Sequence, residues 1–175
     1  MAAVLEFRLT GGSDNTDPNA SLGGAMSSTT ITSGQLNNLF DDVQPDEASS
    51  GDSEYRAIDV YNSGDAEAVS VSLYISSENN QYPDIKLDLG YDTVLGARDP
   101  SNDGTSPPPS IADEDTAPND AGGNPISFDH YDSDSPLSLP NIPVGYAVRV
   151  WVRRDVTAGT GNIASDSATL TVKYA

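Results

Sequence analysis

The stretch YAVRVWVR at residues 146–153 decides the fold class, because aliphatic residues alternate along it with charged and aromatic ones. Its valines point to one side, while Arg149, Trp151 and Arg153 point to the other. Strict alternation of this kind is typical of a β-strand with one buried face. The stretch therefore predicts a strand whose valine face lies in a hydrophobic core.

The same period of two recurs in five further segments, and a weaker version occupies residues 28–32. The five segments are residues 4–9, 55–61, 69–75, 85–89 and 169–174. Because Gly, Pro, Asn and Asp separate them, they predict an all-β fold. We expect a single antiparallel β-sandwich domain over residues 1–175, immunoglobulin-like or jelly-roll-like. The turn-forming sequence Asn62-Ser63-Gly64-Asp65 predicts that residues 55–61 and 69–75 pair as a β-hairpin.

Helical spacing occurs once, at residues 33–43, with Ser33 as a candidate N-cap. The residues that follow the i, i+3, i+4, i+7 pattern are Leu36, Leu39, Phe40 and Val43. Asp41 and Asp42 near the C-terminal end oppose the helix dipole, so the helix must be short. We expect at most one short helix, which covers one end of the sandwich.

Two extended loops interrupt the strand pattern, at about residues 10–27 and 91–140. The second contains Pro107-Pro108-Pro109 and several acidic clusters, and it shows neither helical nor strand periodicity. A structureless run of this length in a compact domain is usually functional or disordered. We expect contact with a neighbouring subunit to order both loops.

The composition is strongly acidic, with 27 Asp and Glu against 8 Lys and Arg and a net charge of −19. This charge argues against nucleic acid and against membranes as direct partners, because both attract clusters of Lys and Arg. The apolar runs are far shorter than the ~20 residues that span a bilayer. The first residues lack the basic and hydrophobic regions of a signal peptide, so we expect synthesis in the cytoplasm.

The sequence predicts that the chain is not an enzyme. It has 0 Cys and one histidine, His130, which lies in an acidic loop. No nucleophile elbow, phosphate-binding glycine loop or kinase signature occurs in it. We therefore assign no catalytic residues.

Calcium is the one cofactor that the acidic loops suggest, because carboxylates and loop carbonyls supply the oxygen ligands that it takes. Asp99 and Asp103 begin a sequence similar to an EF-hand loop, although Ser110 replaces the glutamate at its twelfth position. Asp129 and Asp132 lie in a second acidic loop. The alternative interpretation of both loops is that their carboxylates are only solvated.

The face that carries Arg149, Trp151 and Arg153 is a candidate partner interface, because Arg and Trp are enriched among interface hot spots. The alternatives are that Trp151 points into the core, or that both sheet faces are covered within the domain. A partner can also add a strand to an open sheet edge. The candidate edges are residues 4–9, with Leu5 and Phe7 as contact residues, and residues 169–174.

Two segments carry distinctive features, residues 32–64 and residues 145–175. The first has LFDD at residues 39–42 before EYR at residues 54–56. The second has VWVRR at residues 150–154, followed by Ala158-Gly159 and a Ser-Asp-Ser turn. In these features the chain resembles the virion structural proteins of tailed bacteriophages, particularly of marine siphophages.

The resemblance implies a non-enzymatic virion structural protein, above all a capsid decoration or cement protein. Such a protein binds the outer surface of the phage head and stabilises it through inter-subunit contacts. The partners that the resemblance implies are the major capsid protein and neighbouring copies of the chain. The implied location is the capsid surface, after synthesis in the host cytoplasm, and a tail or fibre component is a related alternative.

A second hypothesis is a calcium- or carbohydrate-binding β-sandwich module. Carbohydrate modules usually expose a row of aromatic side chains on which sugars stack. The tyrosines that can supply such a row are Tyr55, Tyr61, Tyr74, Tyr82 and Tyr91.

Overall fold

Two antiparallel β-sheets pack face to face, so the β-sandwich predicted from the alternation is confirmed. The structure is a computed structural model that describes residues 1–78, 85–161 and 166–175. Its strands are β1 (Leu5–Thr10), β2 (Met26–Thr30), β3 (Asp52–Asn62), β4 (Ser72–Glu78), β5 (Ile85–Tyr91), β6 (Ala97–Arg98), β7 (Leu137–Ser138), β8 (Ala147–Val156) and β9 (Ala168–Lys173). Among these residues one α-helix, α1, spans Pro45–Ser50, and short 3-10 helices span Pro18–Ala20 and Pro100–Asn102.

The larger sheet has the order β2-β1-β3-β8-β5, with β6 beside the start of β8. The smaller sheet has the order β7-β4-β9. The longest ladder joins β3 to β8 from the pair Asp52 and Val156 to the pair Tyr61 and Ala147. This register places Asp59 directly opposite Arg149.

The hydrophobic core lies between the sheets and is formed by the strand faces that the alternation assigns to it. In β8, Val148, Val150 and Val152 are fully buried. The other strands contribute Ile58, Val60, Leu73, Ile75, Leu89 and Leu137. Burial of each such aliphatic side chain contributes about 1.5–3 kcal/mol, so this core holds the two sheets together.

The β-hairpin expected from residues 55–61 and 69–75 is wrong. Those residues belong to β3 and β4, which lie in different sheets. β1 and β8 occupy the two edges of β3, so no edge remains for β4. The Asn62-Ser63-Gly64-Asp65 turn instead carries the chain from the larger sheet to the smaller one.

The helix expected at residues 33–43 is also wrong. Gly34 and Asn37 have positive φ angles of 77° and 54°, which a helix does not accept, and Leu36 is exposed. The helix α1 begins after Gln44, whose side chain forms a capping box with Glu47. Pro at the first helical position and acidic residues in the first turn explain why the helix begins there.

Both extended loops are held by hydrogen bonds within the domain, and their contact with a neighbouring subunit stays a prediction. Backbone hydrogen bonds join the two loops, from Gly24 N to the Pro109 carbonyl and from Ile111 N to the Leu22 carbonyl. They also join each loop to β3, where Ala57 N donates to the Ser21 carbonyl and Tyr55 N to the Glu114 carbonyl. The loops therefore form a third layer over the outer face of the larger sheet.

A Gly23→Ala substitution tests how closely the two loops of this layer pack against each other. Gly23 has a φ of 97°, and a Cβ atom there would contact the Pro109 carbonyl and lie 2.8 Å from Ser110 Cα. Gly12 is a matched control, because its φ is 105° and a Cβ atom there meets open space. Both alanine variants should lose about 1–2 kcal/mol through the positive φ. Gly23→Ala should lose a further ~1–3 kcal/mol of unfolding free energy by overpacking, measured by urea denaturation. Equal losses in the two variants would contradict the close packing of the loops.

Candidate partner-binding site

The predicted interface face of β8 is an interior surface. Arg149 and Trp151 are each only 1% exposed. Trp151 packs in a small second core with Tyr55 and Ala57, and Phe128 from the long loop covers it. The prediction that this face meets a partner is therefore corrected for both residues. The alternative, that both faces of this strand are covered within the domain, is confirmed: the smaller sheet covers the valine face and the loops cover the other.

A network of buried charges centres on Asp59, which has no exposed surface. Arg149 Nε lies 2.9 Å from Asp59 Oδ1, and its Nη2 lies 3.1 Å from Oδ2. Arg98 binds the same carboxylate with both Nη atoms, at 3.1 and 3.0 Å. Burial alone would raise the pKa of Asp59, but the two guanidinium groups hold that pKa below its usual value.

The same network holds the covering loops. Arg149 Nη2 donates to the Gly24 carbonyl at 2.7 Å. Arg98 also pairs with Asp103, from Nε to Oδ1 at 3.1 Å and from Nη2 to Oδ2 at 2.8 Å. The sequence pattern did not find this pairing, because it depends on the register of β3 against β8 and on a loop residue.

The remaining predicted interface residues are also engaged within the domain. Arg153 is partly exposed, but its guanidinium pairs with Asp88 at 2.5 Å and with Asp155 at 2.9 Å. Leu5 and Phe7 are partly buried against the core. The strand β1 that carries them lies between β2 and β3, so the prediction that it is an open edge is wrong.

The predicted calcium ligands serve mainly as local hydrogen-bond acceptors. Asp99 accepts bonds from the Ser101 hydroxyl and the Ser101 backbone N, and these bonds lower the pKa of its carboxyl. Asp132 accepts from the backbone N atoms of Ser135 and Asp134, which lower its pKa in the same way. Asp129 accepts a bond from the backbone N of His130, while Asp103 pairs with Arg98 as described. Within the described ranges, none of these carboxylates belongs to a group of three placed to share a cation.

The carboxylates that do converge are Asp41, Glu54 and Glu114, whose oxygens lie within 4.8 Å of one another. The guanidinium groups of Arg56 and Arg154 lie among them: Arg154 Nε is 2.5 Å from Glu54, and Arg56 pairs with Glu114. Burial raises the pKa of Glu54, although Arg154 opposes the shift. Two resident cations among three carboxylates favour an internal ion-pair network over a divalent metal site.

A second set of contacts holds the segment before α1 against this charge network. The Phe40 ring lies 4.8 Å from the Arg154 guanidinium and 5.4 Å from that of Arg56. Arg154 Nη1 also donates to the Asp41 carbonyl at 2.7 Å. These contacts fix residues 40–41 over the charged end of the core, where sequence spacing had predicted a helix.

Among the described residues, the tyrosines proposed as a sugar-stacking row are not displayed together, and Tyr91 is partly buried against the core. Tyr55 and Tyr74 are buried, at 9% and 6% exposure. The Arg8 guanidinium carbon lies over the Tyr61 ring, 4.9 Å from the centre of that ring. Tyr82 lies outside the described residues.

Exposed apolar side chains collect instead at one end of the sandwich. Large apolar residues with substantial exposure in the described chain are Met1, Val4, Leu36, Val94, Val144, Tyr146 and Tyr174. All of these except Leu36 and Val94 lie around the point where β3 ends and β8 begins. We name Val4, Val144, Tyr146 and Tyr174 the apolar end; their exposures range from 36% to 49%.

Asn62 holds the apolar end together, and its side chain is fully buried. Its Nδ2 donates to the Ala66 and Ile142 carbonyls, each at 2.8 Å. Its Oδ1 accepts from Gly64 N at 3.0 Å and from Val4 N at 3.3 Å. Every hydrogen-bonding position of the amide is therefore used, and three separate chain segments are fixed around one side chain.

Backbone bonds complete this arrangement. Asn62 N donates to the Tyr146 carbonyl at 2.9 Å, and Gly145 N donates to the Asn62 carbonyl at 2.9 Å. Val69 and Ala175 exchange two backbone bonds, which bring Tyr174 to the same end. The sequence around Asn62 indicated only a turn, so this site was not predicted.

Comparison with known proteins identifies no relative, because no family model, no curated protein and no solved structure matches the chain. No helix of the described residues is long and apolar enough to cross a membrane.

Asp59→Asn tests the central charge network. The substitution leaves two buried guanidinium groups without their shared counter-charge, and such a loss costs about 3–5 kcal/mol. We expect the unfolding free energy, measured by urea denaturation, to fall by that amount. Asp99→Asn is the control, because Asp99 is an exposed cap and asparagine caps equally well. A loss at Asp59 no larger than at Asp99 would show that the network contributes no stability.

The lowered pKa of Asp59 predicts that the domain loses unfolding free energy at low pH. Because the folded-state pKa of Asp59 is lowered, its contribution is present above the unfolded value of ~3.9 and is lost as pH falls through the folded pKa. The unfolding free energy should fall more steeply below about pH 4 in the wild type than in Asp59→Asn. Urea titrations at a series of pH values measure both slopes, and parallel slopes would refute the assignment.

Proposed function

We propose that this chain is a non-enzymatic virion structural protein, a capsid decoration or cement protein that binds the outer surface of a phage head. The observation that carries the proposal is the apolar end. Its exposed aliphatic and aromatic side chains lie on chain segments that hydrogen bonds hold together at one end of the sandwich, and exposed apolar residues at one end of a domain favour a partner-binding surface.

The rigidity of the frame supports a role in an assembly. Asn62 fixes the position of Val4 and Tyr146 before any partner arrives. A pre-organised surface loses little conformational entropy on binding, so more of its contact energy appears as affinity. Stabilisation of a lattice requires a domain of this kind, which bridges subunits without deforming.

The charge distribution defines the partner further. All six arginines pair with carboxylates inside this chain: Arg8 with Glu6, Arg56 with Glu114, Arg98 and Arg149 with Asp59, Arg153 with Asp88, and Arg154 with Glu54. The charge left for a partner is therefore overwhelmingly negative. We expect a capsid surface that offers an apolar patch with basic groups around it.

Electron microscopy of particles purified from the source of the chain tests the proposal directly. We expect regular copies on the capsid, with the apolar end facing the major capsid protein. Copies on a tail or fibre would favour the related structural role. A chain that is absent from every particle, and that binds calcium or a glycan in calorimetry, would overturn the proposal.

Val144→Ser and Tyr146→Ser test the binding end. Loss of one buried apolar contact at an interface centre costs about 1–2 kcal/mol, so each variant should bind chain-depleted particles roughly tenfold more weakly. The matched controls are Leu36→Ser and Val94→Ser, which remove exposed apolar side chains elsewhere. Sedimentation of particles with labelled protein measures the affinity. Equal weakening by tests and controls would rule out the apolar end as the site.

A further inference from the structure

The sheet edges of this domain differ in how they are covered. The segment of the first loop at residues 13–15 hydrogen-bonds to β2, through Ser28 N and the hydroxyls of Ser27 and Thr29. The outer edge of β5 is covered by the long loop, where Leu89 and Asp129 exchange two backbone bonds. The edge strand β7 has only two residues.

The edge strand β9 is different, because it is six residues long and pairs only with β4 among the described residues. An open edge presents unpaired backbone N–H and C=O groups, which are a template for another strand. Its sequence, ATLTVK, is rich in residues with high strand propensity. The edge is therefore competent to pair.

The outer face beside this edge contains no acidic residue from Ser72 to Ser77 of β4 or from Thr169 to Lys173 of β9. The one acid of the ladder, Glu78, lies at its far end opposite Ala168, with its carboxylate 3.7 Å from His130 Nε2. Leu73 and Ile75 of β4 and Leu170 and Val172 of β9 point into the core. The alternation therefore turns the other positions outward. These are Ser72, Tyr74, Ser76, Ser77, Ser138, Thr169, Thr171 and Lys173, of which Tyr74 is buried at 6% exposure. In a chain of net charge −19, this face is neutral or weakly positive.

Lys173 does not prevent strand pairing at the open edge of β9. Lysines on edge strands commonly prevent pairing by placing a charge beside the open backbone. Here the Lys173 ammonium lies 4.9 Å from the centre of the Tyr74 ring, on the neighbouring strand β4. The charge is thus directed across the sheet, away from the open edge.

We propose that two copies of this chain pair through β9, in an antiparallel contact that joins their small sheets into one. With the two-fold axis at Thr171, Thr171 of each copy faces its own counterpart, and Thr169 faces Lys173. No like charges stand opposite each other in this register, and Thr–Thr pairs stabilise antiparallel sheets. The contact rests on the proposed function in one respect, since it supplies the copy-to-copy link that a cement protein needs.

The charge distribution favours a second copy of this chain as the partner that pairs with β9. Two bodies of charge −19 repel each other over most of their surfaces, and the repulsion is smallest where neither presents a carboxylate. The acid-free face is that place. Val4, Val144 and Tyr146 of the apolar end stay available for the capsid, while Tyr174 lies opposite Ala168 of the second copy in this register. Screening by salt should therefore strengthen the pairing.

Sedimentation equilibrium of the full chain at about 0.5 M NaCl tests the pairing. We expect a monomer–dimer equilibrium that weakens at low salt. Thr171→Glu places two carboxylates opposite each other and should weaken the dimer at least tenfold. Thr93→Glu adds the same charge at an exposed turn of the larger sheet, and it should change the dimer constant less than about twofold.

A charge-reversal experiment separates pairing from misfolding. Thr171→Lys should weaken its own dimer for the same reason, while an equimolar mixture of Thr171→Glu and Thr171→Lys should dimerise at least as strongly as wild type. A wild-type chain that stays monomeric at about 100 μM in high salt overturns the inference, as does a mixture that fails to recover. If the chain lies on particles but never pairs through β9, this inference fails alone. A dimer of a chain that is absent from particles would instead refute only the proposed function.

Discussion

The architecture depends on the pairing of Asp59 with Arg149 and Arg98. A carboxylate with no exposed surface is unfavourable unless cations and hydrogen bonds replace its water, and here two guanidinium groups do so. Arg149 also holds Gly24 of the first loop, and Arg98 holds Asp103 of the long loop. One buried acid therefore joins the larger sheet to both loops. The result is a domain of three layers, in which the outer face of the larger sheet is interior.

This arrangement explains how so acidic a chain uses its few cations. Arginine pairs bidentately with carboxylates and tolerates burial, so it is suited to internal networks. The two lysines, Lys86 and Lys173, lie instead on β5 and β9. The exposed charge is thereby more uniform in sign than the composition alone implies. A surface of this kind keeps single copies apart in solution and selects basic partners.

The strands were predictable from the sequence, because alternation is a local property and the core face of each strand follows from it. Their partners were not, since β3 pairs with β8 and not with the nearby β4. The Arg149 and Trp151 face was misjudged for the same reason, because the loops that cover it come from distant parts of the chain. The helix prediction relied on apolar spacing and on Ser33 as a candidate N-cap, whereas Pro45 and the capping box of Gln44 and Glu47 mark the true start. Asn62 was visible as a turn residue, but two of its four side-chain hydrogen bonds join it to Val4 and Ile142, which are far away along the chain.

The pairing of β3 with β8 also sets the order in which the chain can fold. Asp59 and Arg149 are 90 positions apart, and the other pairs of this ladder span similar distances. Domains dominated by such distant contacts fold slowly, because loop closure must precede the contacts that reward it. During synthesis, β3 leaves the ribosome long before β8 exists. The nascent larger sheet must remain incomplete through most of translation, and its acidic residues then help to keep the waiting segments in solution.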